Sequence, residues 1–178
     1  MFSSSINWFK YAAPQRFYAL SGTLIPYCVA VAVIATIVGL TIGLLIAPSD
    51  HQQGESYRII FIHVPAAWMS MIIYLAMAFW AAMGLIFNAR LASMFALALA
   101  PTGALMTFLA LWTGSLWGKP TWGTYWVWDA RLTSELILLF LYLGFLSLHA
   151  AIEDTRKADR SAAVLAIVGV VNLSLIHI

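Results

Sequence analysis

The chain has 178 residues, 63% of them hydrophobic and only 9% charged, whereas a soluble domain carries about 45–50% apolar and about 25% charged residues. Too few polar side chains are present to cover a water-facing surface, and a formal charge of +2 is too small for a nucleic-acid footprint. Cys28 is the single cysteine and no Cys-x-x-Cys motif occurs, which excludes an internal disulfide and thiol redox chemistry of the usual kind.

A bilayer core of about 30 Å needs about 20 apolar residues in a helix. Leu20–Ala47 meets that length, and Pro48-Ser49-Asp50 ends it with turn residues. It is too long for a signal-peptide core, and no small-residue cleavage site follows a short apolar stretch. The second apolar run covers Ile59–Phe87 and breaks at Asn88-Ala89-Arg90. The third covers Leu91–Leu116 with Pro101 and Gly103 inside it, as membrane helices tolerate. Trp117–Arg131 reads as a loop or interfacial segment, because Gly118, Pro120 and Gly123 disfavour long helix before Asp129. A fourth span, Leu132–Ala150, leads into the charged turn Glu153–Arg160, and a fifth begins at Ser161. The predicted architecture is all-α: a polytopic integral membrane helix bundle in one membrane domain, residues 1–178, with five spans.

Basic residues assign the sides. With the N-terminus inside, Lys10, Arg16, Arg90, Arg156, Lys157 and Arg160 are cytoplasmic, while Arg58, Lys119 and Arg131 lie outside, in agreement with the positive-inside rule. Ser161–Ile178 offers about 27 Å of helix at about 1.5 Å per residue. That length barely crosses a membrane, so a fragment with an incomplete fifth span is expected. The closing Leu-Ser-Leu-Ile-His-Ile resembles a translated library adapter.

Five of the eight tryptophans fall in one stretch: Trp112, Trp117, Trp122, Trp126 and Trp128, joined by Tyr125. One reading is an interfacial aromatic belt. The other is a stacking surface for a flat, conjugated ligand, since indole rings offer large rigid area at low entropic cost. Arg131 could pair bidentately with a ligand carboxylate, or anchor at the interface, or form an ion pair one turn along with Glu135. Asp129 most simply caps the fourth helix.

The stretch Trp117-Gly-Lys-Pro-Thr-Trp122-Gly-Thr-Tyr-Trp126-Val-Trp128-Asp129-Ala-Arg131-Leu-Thr-Ser-Glu resembles the tryptophan-rich WWD signature of haem-handling proteins. It is most similar to the haem exporter protein C (CcmC) family of cytochrome c maturation. Tyr57-Arg-Ile-Ile-Phe-Ile-His63-Val-Pro65-Ala-Ala-Trp68 resembles that family's second span, and the likeness covers nearly the whole chain. Tyr125 stands where the family more often has Trp. The resemblance implies six spans in a full-length chain and a bacterial inner-membrane protein with a cytoplasmic N-terminus. It further implies haem b as presented ligand, held on the periplasmic face by Trp117, Trp122, Tyr125, Trp126, Trp128, Asp129 and Arg131. The partners implied are the periplasmic chaperone CcmE, the small subunit CcmD and the ABC-transporter subunits CcmA and CcmB. No Gly-x-x-x-x-Gly-Lys-Ser/Thr occurs here, so ATP chemistry falls to another subunit. The expected role is haem transfer rather than an enzyme with catalytic residues of its own.

A lone histidine near a helix start is usually a hydrogen-bonded interface residue. The resemblance makes His63 an axial ligand of haem iron, with Pro65 fixing the helix entry. His149 sits most of a bilayer away, near the end of the fourth span, where it suits the last carbonyls. His51 belongs to a solvated loop. The family's second axial histidine lies in a later outer loop, so His177 receives no role. Two other readings stay open: a sister cytochrome c synthase component, and a structural or channel-like subunit in which tryptophans only anchor. A membrane haem b electron carrier would need two histidines at one depth, which His63 and His149 do not supply.

Overall fold

A computed structural model describes residues 8–176. They form α1 (Pro14–Thr41), α2 (Ile60–Phe87), α3 (Arg90–Trp122), α4 (Ala130–Ala151) and α5 (Thr155–Ile176), and no strand occurs among them. α1, α2, α3 and α4, with the short helical turns that extend α1 to Ile46 and begin α2 at Glu55, are long and apolar enough to cross a membrane. The protein is an all-α polytopic membrane protein, as composition requires.

The chain divides into two compact units, Met1–Gly39 and Leu40–Ile178. The first consists chiefly of α1, which has no buried residue. In the second, α2 packs on α3 and α5, and α4 packs on the same two helices, giving a four-helix ring. Small residues let these helices approach: Ala92, Ala96, Ala100, Gly103, Thr107 and Ala110 form the buried stripe of α3. Tyr74 of α2 and Tyr142 of α4 meet across the middle, ring centroids 5.1 Å apart. A Cβ on Gly103 would collide with the Tyr142 ring, and one on Gly169 would collide with Tyr74 Oη. The Tyr142 hydroxyl donates to the Ser70 carbonyl at 2.7 Å, and Asn172 donates to the Ser134 carbonyl at 2.8 Å. These bonds satisfy polar groups for which a bilayer has no water.

Three expectations need correction. Helix α3 runs through the proline and glycine of the aromatic segment as far as Trp122. Gly123, left-handed at φ 79°, ends it, and its amide donates to the Lys119 carbonyl. Helix α5 starts at Thr155, inside the predicted charged turn, because Asp154 accepts hydrogen bonds from the amides of Arg156 and Lys157. Pro65 lies in the second turn of α2 rather than at its entry, which a 3-10 turn over Glu55–Ile59 prepares.

Candidate functional site

The start of α2, the end of α3, the irregular segment after Gly123 and the first turns of α4 enclose a cavity of about 620 Å³. Such a volume lies within the range of small-molecule sites, about 300–1,000 Å³. His63, Trp117, Trp122, Tyr125, Trp126, Asp129 and Arg131 all line it. Trp128 does not: it is 75% exposed and turns its ring edge-to-face onto Trp126, centroids 5.4 Å apart.

His63 is oriented by α3. Its Nδ1 lies 3.0 Å from the Ala110 carbonyl and 3.1 Å from Thr113 Oγ1. A carbonyl only accepts, and the Thr113 hydroxyl is already donated to the Leu109 carbonyl at 2.6 Å. Nδ1 therefore carries the proton, which leaves the Nε2 lone pair free for a metal. Histidine ligands of metals typically use such a second-shell bond to fix their tautomer. Gly114 keeps the place open, since a Cβ there would sit 2.9 Å from His63 Cε1. The ring packs against Trp117 at 5.7 Å, and Trp117 Nε1 donates to Gln53 Oε1 at 2.7 Å.

The wall beyond α3 folds back on Gly118, where a Cβ would meet the Thr124 carbonyl at 3.1 Å and Trp122 at 3.3 Å. Lys119 fastens the turn, donating to the Gly123 carbonyl at 3.0 Å and standing over the Tyr125 ring. Trp126 Nε1 is buried and has no hydrogen-bond partner among the described residues. That donor awaits an acceptor, and leaving it unmet is costly.

Asp129 caps α4 as predicted, accepting from the Leu132 amide at 2.8 Å. This amide, with help from Arg131, holds its carboxyl below the usual range. Arg131 pairs with Asp129 at 3.2 Å and not with Glu135, because Glu135 turns inward. There Ser70 Oγ lies 2.9 Å from its carboxylate, and no cation lies within ion-pair distance among the described residues. Glu135 is 8% exposed and lines the cavity. Sequence reasoning weighed it only as an ion-pair partner. The missed signal is the spacing His63, Ala67, Ser70, one face of α2, which carries both the imidazole and the hydroxyl that meets Glu135.

The other histidines stay apart. His51 is exposed in a turn. His149 lies 3.8 Å from Asp159 and against Phe145, so it faces α5 rather than the last carbonyls of α4. His177 lies outside the described residues.

Fold and site together define a polytopic membrane protein with an aromatic-walled cavity, lined by His63, at one end of its four-helix bundle. The family model "Heme exporter protein C" matches residues 7–178. Heme exporter protein C of Escherichia coli K12 is 53% identical over 166 residues, 93% of this chain and 68% of that protein. The proteins of the same name from Haemophilus influenzae and Bradyrhizobium diazoefficiens are 47% and 50% identical over 167 and 165 residues. Those alignments cover 94% and 93% of this chain and 68% and 62% of the relatives. The chain belongs to the Heme exporter protein C (CcmC) family.

Proposed function

We propose that this chain binds haem b in the aromatic cavity, at the periplasmic face of the bacterial inner membrane, and presents it to the chaperone CcmE for cytochrome c maturation. The N-terminus is cytoplasmic in this reading, and CcmA, CcmB and CcmD are the membrane partners. The observation that carries it is the contact of His63 Nδ1 with the Ala110 carbonyl inside an aromatic enclosure; because a carbonyl only accepts, Nδ1 donates and Nε2 is left available to iron.

The residues present fit a haem. The cavity is of suitable size, Gly114 leaves room beside the imidazole, and the unmet Trp126 N–H offers a donor to a carboxylate. His63 would hold the iron, Trp117, Trp122, Tyr125 and Trp126 would cover the ring, and Arg131 at the rim would pair with a carboxylate. Trp128 supports Trp126 from behind. When bound, haem supplies the reactive iron and vinyl groups; the protein supplies orientation and exclusion of water.

Haem retention by purified protein tests this. Trp122→Leu with Trp126→Leu is expected to weaken retention at least tenfold, about 1.4 kcal/mol, with membrane insertion intact. Unchanged retention would favour tryptophans that merely anchor.

A further inference from the structure

The end of the bundle opposite the aromatic cavity carries a second hollow, of about 650 Å³, where the start of α5 meets the α2–α3 turn. Three arginines line it: Arg90 at the start of α3, and Arg156 and Arg160 in the first turns of α5. Its two carboxylates are already engaged by the fold. Arg90 closes an ion pair on Asp159. Asp154 accepts the Arg156 and Lys157 amides at 2.9 and 3.2 Å, and the Lys157 amide above all holds its carboxyl below the usual range. Neither Arg156 nor Arg160 has a carboxylate within ion-pair distance among the described residues, although Asp154 feels the Arg156 charge from farther off. Arg160 reaches only the neutral Asn88 Oδ1, at 3.4 Å.

Arg156 and Arg160 stand four residues apart, and the same spacing continues through Val164 and Val168. Residues so spaced share one helix face. The opposite face of α5, with Ala158, Ala162 and Ala166, is buried in the bundle, whereas Val164, Val168 and Val171 are 53%, 64% and 70% exposed. α5 thus shows two guanidiniums outside any ion pair above a strip of branched apolar side chains. Arg160 to Val171 spans about 16 Å, close to half of a bilayer core about 30 Å thick.

We propose that this hollow and strip bind one anionic phospholipid, its phosphate on Arg156 and Arg160 and an acyl chain along Val164, Val168 and Val171. Guanidinium forks match phosphate oxygens bidentately, and basic pockets between membrane helices recognise anionic headgroups. A free phosphate shares the headgroup chemistry but leaves the apolar strip unused, so the lipid is the better fit.

Native mass spectrometry of the purified chain in detergent, with equimolar phosphatidylglycerol and phosphatidylcholine of matched acyl chains, tests the proposal. The wild type is expected to retain one phosphatidylglycerol with at least tenfold preference. Arg156→Gln with Arg160→Gln brings that preference near unity, while Arg156→Lys with Arg160→Lys keeps most of it. Millimolar inorganic phosphate leaves the lipid bound. If the glutamine variant loses helix by circular dichroism, salt supplies the same test, because an ionic headgroup contact weakens as salt is raised. The proposal is overturned if the wild type shows no preference, if preference survives in a folded glutamine variant, if it is indifferent to salt, or if inorganic phosphate displaces the lipid readily.

Discussion

The aromatic end of the bundle keeps polar groups buried and partly unmet, whereas the α5 end engages its carboxylates within the fold and leaves Arg156 and Arg160 exposed. At the first, Trp126 Nε1 has no partner among the described residues and Glu135 has no cation. At the second, Asp154 is bonded to amides and Asp159 to Arg90. Buried unmet groups cost stability; among the described residues the other one is Tyr74 Oη, sealed in the packed middle, whereas Trp126 Nε1 borders a cavity. That difference is what the haem site proposed at the aromatic end requires, and it sets that end apart from the charged helix junction at the start of α5.

Substitutions can break or sharpen this contrast. The largest effect is expected in the packed middle that separates the two ends: Gly169→Ala drives a methyl into Tyr74 and should cost stability near the top of the ~1–3 kcal/mol range for overpacking. Thermal unfolding in detergent measures it, and both ends should suffer together. Gly114→Val acts on the aromatic end alone. It displaces His63, so haem retention should fall ten- to a hundredfold, as for other losses of second-shell support, with little change in unfolding temperature.

A smaller change follows at the start of α4. Asp129→Ala removes a helix cap and should cost about 1 kcal/mol at neutral pH. The folded carboxyl titrates below its unfolded value. Its contribution is therefore full above the unfolded value, about 3.9, and is lost as pH falls through the lower folded one. Wild type and variant should accordingly converge in strong acid, as unfolding at a series of pH values will show. Arg131→Gln, which breaks an exposed pair, should change stability by less than about 1 kcal/mol while still weakening haem retention.

The helices of the second unit were legible in the sequence because lipid imposes one rule on every span, and the Asp129 cap because its cause lies three residues away. The aromatic residues were legible as a cluster, but not that Trp117, Trp122, Tyr125 and Trp126 would line the cavity with His63 while Trp128 stands outside it. That division follows from the turn at Gly123, which folds Thr124 back onto Gly118 and aims the rings after it. The continuation of α3 to Trp122 was hidden because Pro120 reads locally as a breaker, while Gly123 and Lys119 set the actual end. Glu135 was misjudged because its neighbour in sequence, Arg131, is nearer on paper than Ser70, 65 positions earlier, which touches it.

The proposed haem site turns on His63 Nε2 as the ligand of the iron. The most direct test is the absorption spectrum of purified protein titrated with haem, for wild type, His63→Ala and His149→Ala. A nitrogen-ligated spectrum present in wild type and His149→Ala but lost in His63→Ala is the predicted result. A nitrogen-ligated spectrum that survives unaltered in His63→Ala would contradict it.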